Sequence, residues 1–277
     1  MKLYIIGENP IVPHLIALLA KDYEIKVDCN VYTKDLDVEK LTVSDLTLKT
    51  NFVDVIFLVN TKQIHQKIIL KDGSKTLNDA IFNLYQESLW FSLNMNSLMN
   101  YYVDKYDLKH YDLSEISPFY ICSRLAFNEI VLQKMITQSQ KLLHQQKVLI
   151  LGYSTTTKLL CELLSSNRMI VVVSDRLLQE LIEAKQEGYG ILLKEEINTT
   201  PIHFDTIIIE DEYFINQIKS ADNQQIYFIN YKEENTKQEH IHCLNPYELV
   251  CTHYPKLIAQ NVASSFKKEI CEYFKEA

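Results

Sequence analysis

The chain reads as an α/β protein of two successive open parallel-sheet domains, the second of Rossmann type. Three observations carry this. Its 277 residues exceed one typical domain of about 100–200 residues. Short apolar strands alternate with helical stretches in both halves. The strongest strands, Asp54–Val59 and Lys147–Leu151, are continuous apolar runs, which suits a parallel sheet covered on both faces.

In the first half, Lys2–Ile6 is a strand ending at Gly7, Ile11–Ala20 a helix and Tyr23–Val27 a second strand, which together make a βαβ unit. The strand at 54–59 follows. Thr76–Tyr85 is expected to be helical with Thr76 as its cap, Ser88–Leu93 a strand and Asn94–Tyr106 a helix. This half, 1–122, has a flavodoxin-like layout. A long helix over Ala126–His144, with Ile130, Met135, Leu142 and Leu143 on its apolar face, leads into strand 147–151, and the domain boundary falls near it.

The second domain, 123–255, continues with helix 155–166, strand 169–173, helix 177–187 stopped at Gly188, a short strand near 191–193, strand Thr206–Ile209, helix 212–219, strand Ile226–Ile229 and a strand near His240–Cys243. A final helix runs from about Pro255 to Phe274, and the segment 256–277 that it forms is expected to pack back on the first domain. The two halves are not detectable repeats of each other in sequence.

Composition narrows the function. With 47% apolar and 23% charged residues the chain can bury a substantial core. Thirty-six acids against 28 lysines and arginines leave a net charge of −8 and no basic stripe, which argues against duplex nucleic acid as a partner. No run approaches a membrane span of about 18–20 apolar residues. The apolar start is too short for a signal-peptide core, so a cytoplasmic location is expected. The six cysteines are scattered and read as reduced packing residues. His240 and His242 share one strand face but lack convincing metal partners, so no metal is expected.

The chemistry concentrates at Gly152-Tyr153-Ser154-Thr155-Thr156-Thr157, between a strand and a helix. A dinucleotide loop there uses glycines so that backbone approaches the pyrophosphate and the helix start faces it. Here Gly152 keeps the first position. Ser154 stands at the close-approach position, and β-branched Thr157 stands where helix and strand pack, which is expected to push the helix or the loop outward. The hydroxyls of Ser154, Thr155 and Thr157 offer either phosphate contacts or a helix cap. At the end of the next strand stand Asp175, suited to a ribose 2′-hydroxyl, and Arg176, suited to a 2′-phosphate and hence to NADP. Arg124, one of three arginines with Arg168 and Arg176, is a candidate for a substrate carboxylate. His65, His110 and His203 are isolated candidates for a base. Neither a Gly-x-Ser-x-Gly elbow nor a Walker loop is present.

The stretch from Glu129 to Phe266 resembles the C-terminal half of the dipicolinate synthase A family, whose relatives share the fold of D-2-hydroxyacid dehydrogenases. The resemblance rests on Asn128-Glu129-Ile130, Lys147–Gly152, Val173–Arg176, Phe204–Ile209, His242–Pro246 and Ile258–Val262. It extends more weakly, by layout, to the N-terminal half. It implies an NADP-type cofactor in the cleft between domains, and reduction or dehydration of a diaminopimelate-pathway intermediate. Arg176 and Gly152 match that family. Glu210-Asp211-Glu212 and Asn230–Asn235 depart from it, and both departures fall at carboxyl ends of strands. A scaffold kept with its site rewritten predicts a diverged homologue, with dinucleotide binding weakened or lost. Such a homologue would bind a small metabolite or a protein partner, a homodimer among them. The alternatives are an active NADP-dependent oxidoreductase on a small carboxylate and a structural or assembly protein.

Overall fold

A computed structural model of the protein describes residues 1–28, 38–48, 53–116, 119–139, 141–199, 201–218, 224–229 and 241–276. The chain divides into two compact units. One is Met1–Cys122 with Cys251–Ala277, and the other is Ser123–Val250.

The first unit contains β1 (Lys2–Ile6), α1 (Val12–Leu19), β2 (Glu24–Val27), β3 (Glu39–Lys40), β4 (Val55–Leu58), β5 (Lys67–Leu70), β6 (Gly73–Thr76), α2 (Asp79–Leu84), β7 (Leu89–Ser92), α3 (Ser97–Tyr106) and β8 (His110–Asp112). Its parallel sheet runs β3-β2-β1-β4-β7-β8. Without the two-residue edge strand β3 this is the 2-1-3-4-5 order of flavodoxin-like sheets, and with it the 3-2-1-4-5-6 order of Rossmann sheets. Every residue of β4 and β7 is buried, as their apolar runs require.

The division between units falls in α4 (Phe119–Gln138). The second unit holds β9 (Lys147–Leu151), α5 (Thr155–Ser166), β10 (Ile170–Ser174), α6 (Leu178–Gln186), β11 (Gly190–Ile191), β12 (Thr206–Ile209), β13 (Gln225–Ile229) and β14 (Ile241–Leu244). Its sheet order is β11-β10-β9-β12-β13-β14, all parallel, again 3-2-1-4-5-6. The chain then passes through α7 (Pro246–His253) into α8 (Pro255–Glu276). Within the first unit α8 packs on α1 and buries Ile258, Val262, Phe266 and Ile270.

The two sheets share detail as well as order. At the amino end, Asp54 accepts the Lys2 amide at 2.6 Å, and Asp205 accepts the Lys147 amide at 2.9 Å. At the carboxyl end, Gly7 (φ +121°) and Gly152 (φ +102°) each lie against the second residue after the neighbouring strand. A Cβ on Gly7 would stand 2.9 Å from the Asn60 amide, and one on Gly152 3.0 Å from the Asp211 amide. Asn60 and Asp211 both cap a following 3-10 turn, accepting from Lys62 and Tyr213 respectively. This likeness rests on a few polar stitches, too few to register as a repeat in sequence.

Several elements differ from what local pattern predicts. The long helix runs 119–138 rather than 126–144. Ser139 accepts the Lys141 amide in a local turn, Leu142 is 63% exposed, and Leu143 enters a 3-10 turn; Ile130 and Met135 are buried. Thr76 does not cap α2. It ends the β5–β6 hairpin, whose two-residue turn is Lys71-Asp72, and Asn78 is the cap, accepting from Ala80. The helix expected at 212–219 is a 3-10 helix over 212–217. α7 is an element that periodicity does not announce, despite its Asn245-Pro246 start, where Asn245 accepts the Glu248 amide. The second unit therefore closes at Val250 rather than at 255. None of the described helices is long and apolar enough to cross a membrane.

Candidate functional site

Ligands of open α/β sheets bind outside the carboxyl ends of strands, where the strand order reverses. In the second unit that point lies between β9 and β12, paired from Thr206↔Val148 to Ile209↔Leu151. The loop leaving β9 here meets the loop leaving β12.

Gly152 makes this approach possible. Its positive φ, and the 3.0 Å at which a Cβ would stand from the Asp211 amide, leave no room for a side chain. Tyr153 follows and is buried. Its amide donates to Asp175 Oδ2 at 2.8 Å and its hydroxyl to Glu187 Oε2 at 2.6 Å. Burial and the Glu187 contact push the Tyr153 hydroxyl well above the ordinary tyrosine value. The Lys158 ammonium lies 5.1 Å from the Tyr153 ring centre and pairs with Glu180 and Glu183. Tyr153 thus anchors the loop; an aromatic directly after the loop glycine was the only sequence sign of this role.

Ser154 is the N-cap of α5 and accepts the Thr156 amide at 3.1 Å. Thr155 is exposed in the first turn. Thr157 is fully buried and does not splay the loop. Its hydroxyl lies 2.9 Å from the Gly152 carbonyl, 3.2 Å from the Ser154 carbonyl and 3.2 Å from Glu210 Oε2, so the β-branch is absorbed by a stitch across the turn. On the other side, Asn128 of α4 reaches the Thr156 carbonyl at 3.2 Å.

Glu210, directly after β12, completes the arrangement. The Ser154 hydroxyl donates to its Oε1 at 2.7 Å, and the Thr157 hydroxyl, whose single proton has the nearer Gly152 carbonyl as an acceptor, lies 3.2 Å from its Oε2. Burial raises the Glu210 carboxyl above the ordinary glutamate value, opposed by bonds from the Ser154 and Thr157 hydroxyls and the Ser154 amide and by the charge of Arg124. Arg124 stands one helical turn before Asn128 on α4, half-buried, and its field reaches this carboxylate. Because the folded pKa is raised, the stability associated with a neutral Glu210 is full below the ordinary glutamate range and is lost as pH rises through the folded pKa. Glu210→Gln is therefore expected to gain stability relative to wild type as pH climbs from the ordinary glutamate pKa toward neutrality, measured by urea midpoints across pH. A difference independent of pH would contradict the raised carboxyl.

The two residues after β10 also find internal partners. Asp175, 9% exposed, spends Oδ2 on Tyr153 and Oδ1 on the Leu177 amide at 2.8 Å. Arg176 pairs with Asp211 at 2.5 Å, and its guanidinium lies 5.4 Å from the Tyr213 ring centre. The structure thus brings Ser154, Thr157 and the charge of Arg124 to Glu210, and Gly152 and Arg176 to Asp211, while Asp175 serves the Tyr153 and Leu177 amides.

The other sequence candidates lie elsewhere. His65 meets the Tyr102 hydroxyl at 3.0 Å and His110 meets Ser92 at 2.9 Å, both in the first unit. His203 lines a cavity of about 170 Å³ with Leu149, Phe204 and Ile207. His242 stacks on Tyr227 and meets Gln225 at 2.9 Å. His240, Cys29 and the segment 230–235 lie outside the described residues. Among the described residues no cluster of three His, Cys, Asp or Glu side chains could hold a metal.

Sheet order, crevice and glycine loop define a Rossmann-type α/β protein with a second open parallel sheet in its other unit. The same fold occurs in the dipicolinate synthase A chain of Bacillus subtilis, at 16% identity and a TM-score of 0.77 over 100% of this chain and 98% of that one. It occurs in its counterpart, dipicolinate synthase A of Bacillus halodurans, at 16% identity and a TM-score of 0.75 over 96% and 97%. A D-isomer specific 2-hydroxyacid dehydrogenase from Lactobacillus delbrueckii ssp. bulgaricus, solved in NAD-complexed form, is similar at 9% identity and a TM-score of 0.60 over 99% and 98%. No family model and no curated protein matches the sequence.

Proposed function

We propose that the protein is a diverged, dipicolinate-synthase-A-like Rossmann protein whose dinucleotide binding is weakened or lost, and that it acts by binding a small metabolite or a protein partner. One observation carries the reading: the polar groups that would receive a dinucleotide are engaged with one another. Ser154 holds Glu210 with the Thr157 hydroxyl beside it, Arg176 holds Asp211, and both Asp175 oxygens serve backbone amides. An external pyrophosphate would have to displace one carboxylate and approach a second, at a cost in like-charge repulsion. Arg124, beside this crevice, is suited to the carboxylate of a small metabolite.

Calorimetric titration with NADPH and NADH tests this. Wild type is expected to bind neither at millimolar concentration, and Arg176→Ala to change nothing. Micromolar NADPH binding abolished by Arg176→Ala would overturn the reading and favour the rival, an NADP-dependent oxidoreductase. The NAD-complexed form of the Lactobacillus dehydrogenase, which shares the fold, favours that rival.

A further inference from the structure

All-parallel sheets are ordinarily covered by crossover helices on both faces. In the second unit α5 and α6 pack on β10 and β11, and their buried Leu160, Leu164 and Leu181 lie outside the cluster that Leu149, Leu151, Ile207, Ile209 and Ile226 form on the other face. Among the described residues, the connections from β11 to β12 and from β12 to β13 contain only 3-10 turns, Lys194–Glu196 and Glu212–Gln217. Such short turns shield less of a sheet than helices do. Between them a cavity of about 170 Å³ reaches Leu149 and Ile207 on the two central strands, with Ile197 and Phe204 as apolar walls. It lies toward the amino ends of the strands, since Phe204 precedes β12 and Gln224 precedes β13, whereas the crevice lies at their carboxyl ends.

Two hydrogen bonds frame the cavity. Asn198 Nδ2 donates to the Gln217 carbonyl at 2.6 Å and joins the ends of the two turns. Gln224, only 5% exposed, donates its Nε2 to the Phe204 carbonyl at 2.8 Å and joins the starts of β12 and β13. The polar part of the lining is amide and imidazole, from Asn198, Gln224 and the exposed His203. Its nearest charged neighbour in sequence, Asp205, is engaged by Lys141 and by the Lys147 amide.

We propose that this cavity is a binding site for a small neutral molecule, a single apolar ring carrying one hydrogen-bonding group. The volume sets the size: an apolar cavity of about 150 Å³ takes benzene. The lining sets the charge, because a buried ion would meet no counter-charge there and would lose its hydration. Leu149 and Ile207 receive the ring, and the His203 imidazole meets the polar group at the mouth. The site is separate from the crevice, so neither outcome of the NADPH titration alters it.

Phenol is the probe, and benzoate is its charged counterpart. The Leu149 and Ile207 methyl groups of the full chain are followed by NMR, with Ile5 and Leu58 of the first unit as reference. Phenol is expected to shift the two cavity residues saturably, with a dissociation constant of about 1 mM or below, and to leave the reference still. Benzoate is expected to bind at least about tenfold more weakly. Ile218→Phe and Ile202→Phe each add bulk at the mouth. Ile202 is 44% exposed and Ile218 is partly buried, so both variants should fold, and each is expected to weaken phenol at least about tenfold. No saturable shift at Leu149 and Ile207 below about 10 mM phenol, or unchanged affinity in both folded variants, would overturn the site. Benzoate binding as tightly as phenol would overturn the neutral class of ligand.

Discussion

Phe266→Ala is expected to lower the stability of the first unit by about 3–5 kcal/mol, the range for deleting a large aromatic from a core. Phe266 is fully buried on α8. It stacks on Phe57 with ring centres 5.5 Å apart and planes 7° apart, tilts against Phe91 at 4.7 Å, and meets Tyr23 edge-on at 5.6 Å. It therefore joins the last helix to the middle of the β1–β4–β7 sheet. The Lys267–Asp22 pair beside it is exposed and contributes little. A protein of two units need not unfold in one step, but its single tryptophan, Trp90, is buried in the first unit and reports on that unit alone. A urea midpoint read by Trp90 fluorescence should fall sharply in the variant. An unchanged midpoint would mean that α8 is not part of the cooperative first unit.

Gly152→Val should destabilise the second unit through two separate effects. The backbone at φ +102° lies where L side chains rarely go, which costs roughly 1–3 kcal/mol. The new Cβ would also stand 3.0 Å from the Asp211 amide and 3.4 Å from the Glu210 Cβ, and forced repacking of this kind costs about 1–3 kcal/mol. The strain falls on the loop that carries Glu210 and Asp211, so the Ser154–Glu210 and Arg176–Asp211 contacts should loosen with it. Hydrogen exchange is the measurement: amides of β9 and β12 should exchange faster while those of β1 and β4 keep their rates. Equal protection of β9 and β12 in the variant would show that the loop absorbs a side chain and that the close approach is not a constraint.

Much of the architecture was legible from local pattern. Apolar runs marked β1, β4, β9 and β12 within a residue or so, because a strand buried on both faces leaves few polar positions. Gly188 stopped α6 with φ +93°, and its successor Tyr189 donates back to the Ala184 carbonyl, as a glycine-terminated helix should. The misread elements had weak or competing local signals. The run after α4 contains no Gly or Pro, so a Ser139 turn ended the helix unannounced. The two-residue β3 is a strand only by virtue of its neighbour β2.

The candidate site divides along the same line. Gly152, the hydroxyl cluster and the Asp175-Arg176 pair stand out in the linear chain because turns, caps and strand ends draw on particular residue types. Their partners do not. Ser154 and Glu210 are 56 residues apart and Arg176 and Asp211 are 35 apart, and only the pairing of β12 beside β9 brings them together. Local periodicity specified a Rossmann-type α/β chain and where its loop lies. Whether Thr157 would splay or stitch that loop, and which groups Glu210 and Arg176 would meet, depended on sheet order, because a buried polar group takes the partners that non-local packing places within reach.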